Sequence, residues 1–206
     1  MSNIFDLFKK IEKPAAGPVS FLVVGLGNPG AEYEHTRHNV GFAAIDDLAE
    51  ALGTRIDRAR FHALTAEVTL GEARGLLMKP TTFMNLSGEA VGEAMRFYKL
   101  TPDRLIVLCD DISFDPGVLR IRRRGSHGGH NGLRNIIAHL SSEEFCRLKI
   151  GVGKKPSPEY DLVDWVLGKL PLEDRKAIAA RFADIREAIK LVLAGEIDAA
   201  MNRFSK

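Results

Sequence analysis

The chain of 206 residues holds only two cysteines, Cys109 and Cys146. Two isolated thiols build neither a disulfide framework nor a paired-cysteine metal site. Long apolar runs are missing too, and a membrane helix needs roughly 20 such residues in a row. At the N-terminus, MSNIFDLFKKIEK sets Asp6, Lys9, Lys10 and Glu12 among its apolar positions. That interrupts the apolar stretch of a secretory signal, so a cytoplasmic location with no membrane partner is expected. Charge of one sign does not dominate. Twenty-nine Lys and Arg against 27 Asp and Glu leave +2, so bulk charge selects no partner. Repeats and low-complexity tracts are absent. What remains, 45% apolar and 27% charged residues, is the composition of an ordinary globular chain. Its length suits one domain with a real core better than two.

Residues 2–12 have helical spacing, with Ile4, Phe5, Leu7, Phe8 and Ile11 apolar, and PAAGP at 14–18 breaks it. Residues 1–20 are therefore expected to be an N-terminal arm ahead of one catalytic domain, 21–206. Within that domain, apolar runs predict strands at 21–27, 61–70, 74–79, 104–109, 118–122 and 147–152. Spacing by three and four predicts helices at 39–52, 87–99, 132–140, 172–193 and about 197–204. Strands alternating with helices predict an α/β fold: a single domain with a mixed, mostly parallel β-sheet flanked by helices on both faces.

The first strand ends in VVGLGNPG, where Gly25, Gly27 and Gly30 fit G-x-G-x-x-G. A dinucleotide-binding turn needs its third glycine to open a helix and an acid ending the next strand about 20 residues on. Here AEYEHTRHN follows Gly30, the helix begins only near Asn39, and the right distance falls inside that helix. The pattern fails its context, so no dinucleotide is expected. The glycines read better as a sharp turn that projects Asn28 into a cleft at the strand's C-terminal end, where open α/β sheets bind ligands.

Other polar residues stand at equivalent places. His38 and Asn39 precede the first helix, Asn85 follows the strand LLMKP, Asp110 ends LIVLC, and His130 and Asn131 sit in GSHGGHNG. Each has an ordinary structural explanation. Asparagines cap helices, an aspartate suits a turn, and a histidine can lie satisfied on the surface. Together, drawn from the ends of separate strands, they suit one pocket and a hydrolytic site without metal or covalent nucleophile. His supplies a general base, an aspartate behind it fixes its tautomer, and asparagine amides hold an amide or a developing oxyanion. His127 and His130, even with His38, lack an obvious carboxylate or thiolate set for a metal. Cys109 falls in an apolar strand, where a cysteine is packing material.

VVGLGNPGAEYEHTRHNVGF, KPTTFMNLSGEAV, DDISFDPGVLRIR, GSHGGHNGLRNI and FCRLKIGVG, in this order from Phe21 onward, closely resemble the bacterial peptidyl-tRNA hydrolases. The resemblance implies a monomeric α/β fold without cofactor. It also implies hydrolysis of the ester joining a nascent peptide to the 3′-terminal ribose of tRNA, which returns tRNA to translation. By motif, His38 matches the family's catalytic base and Asp110 the aspartate that supports it. Asn28 matches the residue that separates blocked from free aminoacyl groups. Tyr33, Phe83, Asn85 and Asn131 match residues lining the tRNA 3′-end and peptide site, and His130 a neighbour in the same loop. The chain departs from the pattern after Asp110: where the family often has an acid three residues on, this sequence has Ser113, and Asp115 comes later.

An anionic substrate requires cations. In VLRIRRR, Leu119 and Ile121 face one way and Arg120 and Arg122 the other, with Arg123 and Arg124 leading into the glycine loop. Arg134, Arg147, Lys149, Lys154 and Lys155 follow. Arg122 and Lys149 are the expected phosphate contacts. KKPSPEYD at 154–161 has the composition of a mobile flap. Asn28 is the expected reader of the acylated nitrogen. The competing reading is a noncatalytic tRNA- or RNA-binding relative of the same fold; a nicotinamide oxidoreductase would rest on the glycine motif alone.

Overall fold

A computed structural model describes residues 17–205. The expected helix at 2–12 lies outside the described residues. Val19 is buried in the core, and the Ser20 backbone N–H donates to Arg74 O at 2.8 Å.

Seven strands form one sheet: β1 (Phe21–Gly25), β2 (Arg58–Arg60), β3 (Ala63–Leu70), β4 (Ala73–Pro80), β5 (Leu105–Asp111), β6 (Leu119–Arg122) and β7 (Cys146–Gly151). Their order is β2-β3-β4-β1-β5-β7-β6. The central β4, β1, β5 and β7 run parallel, and antiparallel pairs finish both margins. Helices α1 (Val40–Ala51), α2 (Ser87–Tyr98), α3 (Asn131–Leu140), α4 (Leu162–Leu167), α5 (Leu172–Ala179), α6 (Phe182–Leu193) and α7 (Ile197–Phe204) complete the described fold. This is the expected mixed, mostly parallel sheet between helices.

The period-two geometry of a strand explains its two cores. Phe21 and Val23 of β1, with Ile106 and Leu108 of β5, face the side covered by α1, α5, α6 and α7. Leu22 and Val24, with Leu105, Val107 and Cys109, face α2 and α3. Strands buried on both faces read as unbroken apolar runs, which is why FLVVG and LIVLC are legible. Cys109 is packing material as expected, and burial pushes its thiol well above the usual range.

The glycines after β1 serve contact. A Cβ on Gly25 would stand 2.4 Å from the carbonyl oxygen of Gly41 in the first turn of α1. A Cβ on Gly41 would meet Leu26 O at 2.5 Å and Leu108 O at 2.4 Å. Glycine on both partners lets the start of α1 lie directly on the ends of β1 and β5.

Three elements differ from expectation. The strand expected from residue 61 begins at Ala63, because Phe61 and His62 form a two-residue hairpin tip at φ 56° and 50° behind the unforeseen β2. Such tips favour Asn-Gly, so Phe-His gives no turn signal. The helix expected over 172–193 is two. Arg181 N–H bonds Ile178 O, only three residues back, and α6 restarts from Arg181 O. No Gly or Pro marks that break: α5 seats Ile178 beside the turn 35–40, whereas α6 pairs with α1 through Arg186 and Asp47. The third, α4, carries its own signal in Asp161, whose Oδ1 accepts from Val163 N at 2.7 Å and Asp164 N at 3.0 Å.

Candidate active site

His38 lies in a 3₁₀ turn, Arg37–Asn39, that leads into α1. Asp110 is the penultimate residue of β5, and His130 is the residue before α3. The parallel pairing of β1 with β5 brings the ends of these elements to one edge of the sheet. His38 Nδ1 is 2.8 Å from Asp110 Oδ1, and His130 Nε2 is 3.0 Å from the same oxygen. The two imidazole rings are 4.9 Å apart. All three side chains are at most a tenth exposed.

Hydrogen-bond accounting assigns the tautomers. His130 Nδ1 accepts from Leu133 N at 3.3 Å, so in the neutral ring its proton sits on Nε2 and points at Asp110. His38 gives its Nδ1 proton to the same carboxylate, which leaves its Nε2 with a free lone pair. Burial pushes the Asp110 carboxyl upward. Electrostatic attraction to His38 and His130 and the hydrogen bonds from both outweigh it and hold the group ionised, far below the usual carboxylate range.

The triad opens on a pocket of about 240 Å³. Ser113, Gly128, Asn131 and Lys149 line it on the polar side, and Leu162, Val163 and Val166 of α4 form an apolar wall. Asn28 lines a neighbouring cleft of about 620 Å³ with Pro29, Phe42, Lys79 and Thr81. The residue is held through both its side chain and its main chain. Asn28 Oδ1 accepts from Met84 N at 2.7 Å. Asn39 Oδ1 accepts from Asn28 N, and Asn39 Nδ2 donates to Asn28 O, both at 2.9 Å. Asn39 therefore holds the Asn28 turn and does not cap α1, although it occupies the N-cap position. With Oδ1 engaged, Asn28 keeps Nδ2 to donate.

Of the remaining candidates, Asn131 and Lys149 line the smaller pocket and the others do not. Asn131 is exposed at the first residue of α3 and lines the smaller pocket. Asn85 is exposed in the turn Met84–Leu86, outside that pocket. Phe83 is exposed beside it, and the ring of Tyr33 meets it edge-on at 6.3 Å. Lys149 lines the pocket with Nζ 2.9 Å from Asp111 Oδ2. Burial raises the Asp111 carboxyl, but Lys149 and the Ser113 N–H bring it below its usual range. The Asp111 carboxylate thus caps the Ser113 N–H.

Arg122 is half-buried on the edge strand β6, outside the pocket, with Nη1 on Ile121 O at 2.9 Å. Arg147, counted among the surface cations from sequence, is buried. Its guanidinium bonds Gly125 O and Glu143 O and lies 4.2 Å over the Phe145 ring. It anchors the glycine loop and offers nothing to a phosphate, a difference that strand alternation did not reveal. In the loop 154–161, Lys155 Nζ closes onto Pro158 O at 2.8 Å and Tyr160 O at 2.9 Å. His127 turns away from any metal set, its Nδ1 accepting from Gly129 N at 3.0 Å. The donor atoms of His38, Asp110 and His130 do lie within 4.8 Å of one another, close enough for a metal triangle. Both histidine nitrogens, however, stand at hydrogen-bond distance from one carboxylate oxygen, an arrangement that protons satisfy.

Residue-by-residue reading passed over Arg37 and the Asn39 clamp. Both act through backbone carbonyls or amides distant in sequence, which leave no motif.

Residues 22–206 match the model of the peptidyl-tRNA hydrolase family. The peptidyl-tRNA hydrolase of Lachnoclostridium phytofermentans is 48% identical over 186 residues, covering 90% of this chain and 97% of that protein. The peptidyl-tRNA hydrolase of Clostridium acetobutylicum is 47% identical over 185 residues, with 90% and 97% covered. The crystal structure of peptidyl-tRNA hydrolase from Acinetobacter baumannii superposes with a TM-score of 0.85 at 36% identity, over 90% of this chain and 94% of that one.

Proposed function

The chain belongs to the peptidyl-tRNA hydrolase family, ester hydrolases that act on peptidyl-tRNA, and on that premise we propose that His38 is the general base of the reaction, with Asp110 behind it. The observation that carries this is the 2.8 Å contact between His38 Nδ1 and Asp110 Oδ1, which leaves Nε2 unprotonated. Nε2 takes a proton from water as the water oxygen attacks the ester carbonyl carbon. The imidazolium then faces a buried carboxylate, and charge-assisted hydrogen bonds are roughly twice as strong as neutral ones. Collapse of the tetrahedral intermediate breaks the bond to the ribose 3′ oxygen, which takes the proton back from Nε2. The products are a peptide with a free carboxylic acid and tRNA with a free 3′ hydroxyl. His130, donating to the same Asp110 oxygen, holds the carboxylate in place.

Selectivity follows from Asn28. Its Oδ1 is occupied by Met84 N, so the group it presents is the Nδ2 donor. A peptidyl or N-acetyl substrate brings an acyl carbonyl oxygen that accepts from it. A free aminoacyl ester brings an ammonium, which a donor repels and which is costly to strip of water. Asn28 thus reads the acyl oxygen, a change from the acylated nitrogen expected from sequence. Tyr33, Phe83, Asn85 and Asn131 surround the 3′ end, and Lys149 and Arg122 meet acceptor-stem phosphates. One copy of the chain carries every group this needs.

The test is hydrolysis of N-acetyl-aminoacyl-tRNA beside unblocked aminoacyl-tRNA, by the wild type and His38→Ala. General-base help is worth about 10²- to 10⁴-fold. Hydrolysis of the blocked substrate alone, lost by that factor in the variant, is the expected result. A folded variant with near-full activity overturns the base assignment. A wild type that binds tRNA and hydrolyses nothing is the noncatalytic relative instead.

A further inference from the structure

Arg37 is 7% exposed, and among the described residues no carboxylate stands within ion-pair distance of it; Asp174 acts on its charge only from farther away. Its Nη1 spreads over the carbonyls of Trp165 (3.4 Å), Gly168 (3.2 Å) and Lys169 (3.4 Å). Its guanidinium carbon sits 3.5 Å from the centroid of the Trp165 ring, and its Nε has no hydrogen-bond partner among the described residues. A buried cation without a carboxylate is expensive unless other groups compensate. Besides the more distant charge of Asp174, the groups that touch it belong to one short segment, the C-terminal end of α4 and the residues after it.

That segment needs the help. Six residues are too few to hold a helix by themselves, and the last carbonyls of any helix lack partners within it. A cation there is favourable. Asp161 caps the other end, and Trp165 Nε1 donates to Gly153 O at 3.1 Å. The main chain repeats the attachment: Arg37 N–H donates to Gly168 O at 3.1 Å and Leu170 N–H to His35 O at 2.8 Å. Arg37 is also the residue before His38. His38 lines the pocket, and so do Leu162, Val163 and Val166 of α4, its apolar wall.

We infer that Arg37 is a positioning residue: it fastens the α4 wall of the pocket to the turn that bears His38, so that base and wall hold the ester as one rigid unit. This rests on the pocket being the active site. The Arg37 side chain adds to the main-chain attachments at the C-terminal end of the wall, and misplacing a reacting group by about 1 Å can cost 10²-fold.

Arg37→Met keeps the aliphatic stem and removes the charge; Arg37→Lys keeps a charge that cannot span three carbonyls. Arg37 is buried, so a second, exposed site guards against loss of folding in Arg37→Met: Asp161→Ala loosens the same helix from its other end. Trp165 is the only tryptophan of the chain, so acrylamide quenching of its fluorescence reports the wall directly. Expected are a fall in kcat/KM of about 10-fold or more for Arg37→Met, a smaller fall for Arg37→Lys and Asp161→Ala, and greater quenching in all three. His38→Ala must lose hydrolysis with quenching unchanged. Wild-type kcat/KM in a folded Arg37→Met, or in Asp161→Ala with quenching raised, overturns the inference while leaving the pocket assignment standing. Full activity in His38→Ala would instead overturn the pocket assignment beneath it.

Discussion

Asp110→Asn is the most informative single substitution, because it removes a charge and changes almost nothing else. Asp110 Oδ1 accepts from two histidine nitrogens, at 2.8 and 3.0 Å. An asparagine placed with its oxygen there keeps both contacts, yet gives no charge to stabilise the imidazolium. Turned the other way, its NH₂ forces His38 to accept at Nδ1, moves the proton to Nε2 and destroys the base. Hydrogen bonds to a charged group are worth about 1.5–3 kcal/mol each. Losing the charge from the two contacts, and the imidazolium's stabilisation in particular, corresponds to about 2–4 kcal/mol in the barrier, or roughly 30- to 10³-fold in rate. The assay is single-turnover hydrolysis of N-acetyl-aminoacyl-tRNA at saturating enzyme, which separates chemistry from binding. A rate within threefold of wild type would refute the argument, since neither orientation of the amide preserves the carboxylate's function.

Acid stability provides a second reading of the same group. The folded Asp110 carboxyl is depressed below its unfolded value of about 3.9. Its stabilisation is therefore complete above that value and is lost as pH falls toward the folded pKa. Urea unfolding between about pH 2 and 6 should show a shallower acid decline in Asp110→Asn than in wild type; equal slopes would contradict it. Asn39→Ala removes two buried hydrogen bonds to the Asn28 main chain. It should cost about 1–3 kcal/mol of stability and erode the preference for blocked over free aminoacyl-tRNA, measured as a ratio of kcat/KM values. Lys149→Met should lower the salt slope of tRNA binding by about one. Arg147→Met, which removes a buried cation from the glycine loop, should lower Tm with that slope unchanged; a reversed pattern would exchange their roles.

How far the sequence reached depended on the range of each interaction. The central strands were legible because burial on both faces demands apolar side chains at every position, as in FLVVG and LIVLC. His38, Asp110 and His130 could be singled out because each stands at the end of an element. The hairpin tip at Phe61 and His62 was illegible because the chain adopts left-handed backbone there without a glycine or asparagine. Arg147 misled for a related reason. Cys146, Arg147 and Leu148 of β7 are all buried, so alternation does not deliver Arg147 to solvent, and only the loop carbonyls at Gly125 and Glu143 explain its charge. Arg37 was passed over because its partners lie more than 120 residues away and are main-chain carbonyls, identical at every residue.

The glycine turn shows how one local pattern can serve two chemistries. A pyrophosphate needs free backbone N–H groups at a helix N-terminus. Here Phe42 N–H, in the first turn of α1, donates to Leu26 O at 3.2 Å, and Leu26 N–H donates to Leu108 O at 2.9 Å. Asn28 N–H is taken by Asn39 Oδ1. Gly25 and Gly41 permit this by letting strand and helix touch, with room for neither a Cβ nor a phosphate between them. These three donors are thus spent on packing and on the Asn39 clamp. What the turn still presents to the cleft is the Nδ2 donor of Asn28, a neutral group matched to a carbonyl oxygen.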